Sequence, residues 1–194
     1  NPTEETPVTE EEVKLLIEQG AQAGVFEKVE ETMLKRVLDF GDQTVGEIMT
    51  PRTRMVAVDL NEPTDKNIQK MMQAPHSYFP VYIGNHDQII GMASIKSMWE
   101  QMAIGNAVDL RECLVKPLYM MKSIAAFRAL EMFKQSGKHI ALVVDEYGGT
   151  AGLISLIDVL EAIAGDLPSV DEQENLRAVK REDRAERRGP RGSR

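Results

Sequence analysis

A chain of 194 residues, 42% of them hydrophobic, can bury one substantial core or two small ones. Its formal charge of −8 excludes general binding of nucleic acid, because most of such a surface repels a phosphate backbone. The single cysteine, Cys113, excludes an internal disulfide and reads as a small buried residue in a reducing compartment. The longest apolar runs fall far short of the roughly 18 to 20 residues of a membrane-spanning helix.

The chain opens on Asn1-Pro2, without Met and without a charged-then-apolar signal segment, so it is expected to be part of a longer protein. After a polar, Pro-punctuated stretch, Thr9-Glu10-Glu11-Glu12 forms a capping box for a helix with Val13, Leu16 and Ile17 on one face, ended by Gly20 and Gly24. A second helix is predicted from about Glu27 to Phe40, where Met33, Leu34, Val37 and Leu38 recur at helical spacing and Gly41 is the stop. These two helices make an acidic lead-in over 1–43. Its apolar stripe is expected to pack onto the rest of the chain rather than to bind a partner.

From residue 44 onward the same pattern occurs twice. Ser77-Tyr78-Phe79-Pro80-Val81-Tyr82-Ile83 leads to Gly91-Met92-Ala93-Ser94, and Lys138-His139-Ile140-Ala141-Leu142-Val143-Val144 leads to Gly152-Leu153-Ile154-Ser155, at a constant offset of 61. Each copy reads as an apolar strand, a turn, a second strand closing on Gly-x-x-Ser, and a helix. A further helix precedes each strand pair, Thr64 to Gln73 and Ser123 to Gln135, each with a hydroxyl N-cap. The predicted fold is therefore α/β, with repeats over 44–105 and 106–167 whose small sheets and helices form a pseudo-twofold pair. Two such copies create two equivalent clefts. Residues 168–194 turn acidic and then arginine-rich among Gly and Pro, and read as a linker and a basic disordered tail.

Chemistry concentrates at two places. Ser155 and Asp158 stand three residues apart at a strand-to-helix junction, sharing the first helical turn. There the helix dipole and free N–H groups attract phosphate, Ser155 can donate to it, and a fixed carboxylate can accept from both hydroxyls of a ribose. Gly152 lets the backbone come close. Ser-x-x-Asp is also a capping box, the stronger reading when the motif is considered alone. The copies favour the ligand, because position 97, the counterpart of Asp158, is Ser, whereas Ser94 matches Ser155. Capping survives that change better than ribose binding does. The second place is Ile48-Met49-Thr50-Pro51-Arg52, whose counterpart Leu114-Val115-Lys116-Pro117 puts Lys116 where Thr50 stands. The Thr50 hydroxyl can reach a phosphate; the alternative is a strand start rigidified by Pro51.

Other candidates carry less. His76, His86 and His139 have no carboxylate or thiol at ligand spacing, so no zinc site is expected. Met71, Met72, Met120, Met121 and Met132 read as core or interface, and Asp145-Glu146 as a solvated pair in a hairpin turn before Gly148-Gly149. No acid–base pair for hydrolysis is visible, and no enzyme is expected.

Val45-Gly-Glu-Ile-Met-Thr-Pro-Arg52, His76-Ser77-x-Phe79-Pro80-Val81 and, above all, Val144-Asp145-Glu146-Tyr147-Gly148-Gly149-Thr150-Ala151-Gly152-Leu153 resemble the paired CBS domains (a Bateman module) of the CorC/HlyC haemolysin-like proteins, relatives of the CNNM magnesium transporters. The resemblance covers about Thr9 to Arg181, and implies that 168–194 includes a fragment of a small C-terminal domain, with Val179-Lys180-Arg181-Glu182-Asp183 similar to its opening strand. It implies a regulatory module on the cytoplasmic side of the cell membrane, attached to a transmembrane magnesium or cobalt transporter domain and homodimeric. It also implies one cleft for an adenine nucleotide (ATP, with or without Mg, ADP or AMP). Carried over, Thr50 and Ser155 would meet phosphate, Asp158 the ribose, and His76, Pro80 and Ile154 the adenine neighbourhood. Where relatives commonly carry Arg, this chain has Tyr78, which offers a hydroxyl and a ring. Ile157 replaces the usual acidic residue before the ribose Asp. The alternative function is a ligand-independent dimerisation module of the same membrane protein.

Overall fold

The computed structural model describes residues 8–165. The basic tail and the linker predicted beyond Pro168 lie outside the described residues.

Two helices open the chain, α1 (Glu10–Gln22) and α2 (Lys28–Asp42). Thr9 and Glu12 form the expected capping box on α1, and Glu27 and Glu30 form another on α2. Gly20 lies within α1 rather than ending it, and a Cβ there would sit 2.6 Å from the Phe26 ring, so the glycine makes room for that ring. Lys14 bridges to Asp39 at 2.8 Å, and Lys35 pairs with both Glu18 and Glu31, tying the helices together. Glu31 is buried, and hydrogen bonds from Lys28 and then Lys35 hold its carboxyl below the usual range.

The expectation that the lead-in stripe packs onto the repeats holds at one end. α2 packs on later helices through Phe40, which is fully buried and meets Phe127 edge-to-face at 4.7 Å. Leu16, Val29, Met33 and Leu34 remain exposed.

A short helix α3 (Val45–Ile48) leads into β1 (Thr50–Pro51) and a single 3₁₀ turn over Arg52–Arg54. The first repeat continues with β2 (Val58–Asp59), α4 (Thr64–Met72), β3 (Tyr78–Tyr82), β4 (Ile89–Ser94) and α5 (Ile95–Ala103). The second runs β5 (Leu114–Val115), β6 (Leu118–Met121), α6 (Ala126–Ser136), β7 (Ile140–Val144), β8 (Thr150–Ser155) and α7 (Leu156–Ala164). Both predicted hydroxyl N-caps fail: α4 starts after Pro63, and α6 after Ala125, without a side-chain cap. At α6 the preceding chain is held otherwise. Ala125 bridges Thr44, and the Ala126 N–H donates to the Gln43 carbonyl at 2.9 Å, so helical turns begin three residues later than Ser123 suggests.

There are two four-stranded sheets, ordered β2-β3-β4-β5 and β1-β8-β7-β6. Each repeat therefore sends its first short strand to the other repeat's sheet. β1 pairs antiparallel with β8 (Thr50 opposite Leu153, Pro51 opposite Gly152), and β5 with β4 (Val115 opposite Met92, Leu114 opposite Ala93). The repeat symmetry extends to detail. The β3/β4 and β7/β8 hairpins both shift register near their turns, between Val81 and Tyr82 and between Val143 and Val144.

Each repeat has its own core. Val58, Met71, Phe79, Val81, Met98 and Cys113 are buried in the first, and Phe40, Val45, Met120, Phe133, Val143 and Ile154 in the second. Burial pushes the Cys113 thiol pKa up, as suits a packing residue. A third cluster, Met92, Ile140 and Leu142 with Tyr78, Val115 and Leu153, joins the two repeats.

Candidate functional site

The exchange of β1 between sheets creates the site. Gly152 permits it: a Cβ there would lie 2.3 Å from the Thr50 carbonyl oxygen, 3.0 Å from the Met49 sulfur and 3.2 Å from the Pro51 Cα. The close approach that Gly152 allows here is between two strands of the protein. Thr50 is brought beside the end of β8, where Ser155 turns the chain into α7.

A cleft of about 620 Å³ opens at this junction, within the usual size of small-molecule sites. Its walls include Thr50, Arg54 and Met55 from the first repeat's opening, His76, Ser77 and Tyr78 before and at β3, and Leu153, Ser155, Ile157, Asp158 and Glu161 from β8 and α7. Five of the seven residues singled out from the sequence, Thr50, His76, Tyr78, Ser155 and Asp158, share this one cleft. Two do not line it. Pro80 is buried within β3, and Ile154 is fully buried in the second core, because alternate residues of a strand face opposite ways and Ile154 lies between Leu153 and Ser155.

Ser155 and Asp158 form a complete capping box. The Ser155 N–H and hydroxyl donate to Asp158 Oδ2 at 2.6 and 2.8 Å, and the Asp158 N–H donates to the Ser155 hydroxyl oxygen at 3.1 Å. The capping reading is therefore correct for this state of the site, and the same carboxylate still borders the cleft. In the first repeat Ser94 caps α5 through the Ser97 N–H at 3.4 Å, with no reciprocal carboxylate. Capping has survived the change of Asp to Ser, as the comparison of the copies predicts.

The strand ladders also correct one equivalence. Val115 stands opposite Met92 in the register in which Thr50 stands opposite Leu153, so Val115, not Lys116, is the ladder counterpart of Thr50. Aligning the two prolines misses this by one residue, which in a strand exchanges the faces.

Sequence reasoning missed Arg54, Met55 and Glu161, which line the cleft from the turn after β1 and from α7. The signal for Glu161 was available, since it follows Asp158 by three residues on one helical face. Arg54 depends on the turn after β1, which nothing local announces.

His76, His86 and Asp145 also make contacts within the protein. His76 meets Phe79 ring to ring at 6.0 Å, and His86 stacks on Tyr82 at 3.9 Å. Among the described residues no group of three His, Cys, Asp or Glu side chains is placed to hold a metal. Asp145 is not merely solvated: its Oδ1 accepts from the N–H groups of Tyr147 and Gly149 and closes the hairpin. No helix of the described residues is long and apolar enough to cross a membrane.

Comparison with known proteins agrees with this architecture. The CBS domain family model matches residues 45–98 and 116–165. A UPF0053 protein of Synechocystis is 39% identical over 180 residues, 93% of this chain and 40% of that protein. The magnesium and cobalt efflux protein CorC of Escherichia coli is 30% identical, covering 88% of this chain and 59% of its own. The chain thus spans about two fifths to three fifths of these relatives' length. A solved CBS domain of a bacterial CNNM/CorC family Mg2+ transporter covers 83% of this chain and 99% of its own with a TM-score of 0.70 at 32% identity. The ATP complex of such a domain superposes with a TM-score of 0.65 at 31% identity, covering 71% and 99% of the two chains. A CBS-domain pair from Klebsiella pneumoniae with bound AMP gives 0.56 at 26%, covering 63% and 98%. The duplicated unit, the exchanged strands and these likenesses have one conclusion in common: this chain is a CBS-domain pair and belongs to the CorC/CNNM family.

Proposed function

We propose that the cleft between β1, β3 and α7 binds an adenine nucleotide, and that its occupancy regulates a magnesium or cobalt transporter domain on the same polypeptide, with the module on the cytoplasmic side of the membrane. One observation carries the proposal. Both repeats contribute to a cleft of about 620 Å³ that gathers hydroxyls (Thr50, Ser155), a carboxylate (Asp158) and ring systems (His76, Tyr78). Asp158 Oδ2 is held by the cap while Oδ1 has no protein partner among the described residues, so the carboxylate can serve the helix and accept from a ribose together. The apolar wall of Met55, Val56, Ile140 and Leu153 suits a purine ring. Solved relatives in complex with ATP or with bound AMP support the ligand class. A ligand that bridges the two repeats stabilises one arrangement of them, which is how binding shifts an attached domain.

The test is nucleotide-induced thermal stabilisation. At about 100 times Kd a ligand specific for the folded state adds roughly 2.7 kcal/mol. The upward shift in Tm with ATP, ADP or AMP should vanish in Asp158→Ala, each variant being compared with its own unliganded Tm so that loss of the cap does not count. Equal shifts in both proteins would refute the assignment.

A second reading, self-association through the outer helices, is favoured by exposed apolar side chains. Trp99 on α5 is 50% exposed and Ile157 on α7 is 58% exposed. Sedimentation equilibrium of the protein and of Trp99→Asp tests it: the homodimer reading requires a dimer that the substitution weakens.

A further inference from the structure

We infer that Arg54 is the residue through which this cleft reads phosphate, so that its preference among nucleotides grows with their phosphate charge. The inference rests on the nucleotide reading above and names the group that sets its specificity.

The N-terminus of α7 is the obvious anion site, and it is already spent. The Asp158 carboxylate occupies the first turn, the Asp158 N–H donates to Ser155, and the Leu156 N–H donates to the His139 carbonyl at 3.0 Å. A helix end so capped has its positive pole partly neutralised and presents fewer free donors. Glu161 adds a second carboxylate to the same wall. A polyphosphate entering this cleft therefore meets two negative groups and needs a cation.

Among the described residues, Arg54 is the one Arg or Lys lining the cleft. It is exposed and has no hydrogen-bond or ion-pair partner among those residues. Its neighbour Arg52 differs: its guanidinium is paired with Asp87 on the β3/β4 turn and is turned to structural use. Arg54 follows Thr50 by four residues on the 3₁₀ turn after β1, so the same exchanged segment brings a hydroxyl and an uncommitted guanidinium to the cleft. A guanidinium presents paired donors that match two oxygens of a phosphate, a fit that the Tyr78 hydroxyl cannot offer.

The test is calorimetric titration of adenosine, AMP, ADP and ATP into the intact chain and into Arg54→Gln and Arg54→Lys, adenosine also being followed by ligand-observed NMR at millimolar concentration. Arg54→Gln should lose tenfold or more in ATP affinity, less for AMP, and under threefold for adenosine, with Arg54→Lys recovering part of the ATP loss. Unchanged ATP affinity in Arg54→Gln, or equal losses for adenosine and ATP, would overturn the role of Arg54 while leaving a nucleotide site in place. Failure of the unsubstituted protein to bind adenosine or any nucleotide would strike down the underlying reading instead.

Discussion

The two strand exchanges obey one topology and end in different chemistry. Where β1 crosses to β8, the chain presents the Thr50 hydroxyl, a half-buried Ser155 and the Asp158 carboxylate to an open cleft. Where β5 crosses to β4, Val115 takes the place of Thr50 and packs against Met92, Ser94 is buried, and Ser97 replaces the carboxylate. There the Lys138 ammonium, two residues before β7, donates at 2.7 Å to the carbonyl oxygen of Lys116, which follows β5. The fold needs both junctions to hold its two sheets together. Only their side chains distinguish an open cleft from a packed seam.

The largest effect is expected at the glycines under the two crossing strands. Gly152→Val should destabilise the protein by about 1–3 kcal/mol or more, because the new Cβ meets backbone and not a flexible side chain. Gly91→Ala should cost less than about 1 kcal/mol, since its Cβ would stand 3.5 Å from the nearest Leu114 atom. Calorimetric Tm values for the pair measure the difference directly.

Next comes the cap. Asp158→Ala should cost about 1 kcal/mol by removing one side of the α7 capping box, while Ser97→Asp should add a few tenths to about 1 kcal/mol by completing a box on α5. Urea denaturation curves for both would show whether the two helix starts are interchangeable. If Ser97→Asp gains nothing, the difference between the repeats is not confined to this carboxylate.

Acid also distinguishes the two repeats. Hydrogen bonds from the Asn61 and then the Gly84 backbone N–H hold the Asp59 carboxyl below its ordinary value of 3.8, whereas Met120 fills the matching ladder position in the second repeat. A depressed folded pKa means the stabilisation is complete above the ordinary value and is lost as pH falls through the lower, folded one. Hydrogen-exchange protection should therefore fall around β2 and the β3/β4 turn as the pH is lowered below about 4, and Asp59→Asn should remove that acid sensitivity.

The smallest effect is expected at Lys138. Lys138→Ala should change stability within about 0.5 kcal/mol, as measured by Tm, because its hydrogen bond to Lys116 is exposed.

The duplication was plain in the sequence because strand alternation and the Gly-x-x-Ser ending are local patterns repeated at one spacing. The exchange of β1 and β5 was not, since two-residue strands have no periodicity and their partners lie a hundred residues away or on the neighbouring repeat. That exchange decides which residues meet. It is why the sequence pairs Thr50 with Ser155 only through family resemblance, why aligning the prolines matches Lys116 and not Val115 to Thr50, and why Arg54 carries no local signal. Ser155 and Asp158 were legible as a pair, since three-residue spacing across a helix start has few geometric solutions. Ile154 and Pro80 are placed near the adenine by family resemblance alone; strand alternation turns Ile154 into the second core, and Pro80 is buried within β3.

One titration decides whether this pair binds nucleotide at a single cleft. ATP should be titrated into the intact chain, Asp158→Ala and Ser97→Ala, with stoichiometry read from the calorimetric isotherm. One site per chain is expected, lost in Asp158→Ala and retained in Ser97→Ala. Two sites per chain, or binding lost in Ser97→Ala and kept in Asp158→Ala, would contradict it.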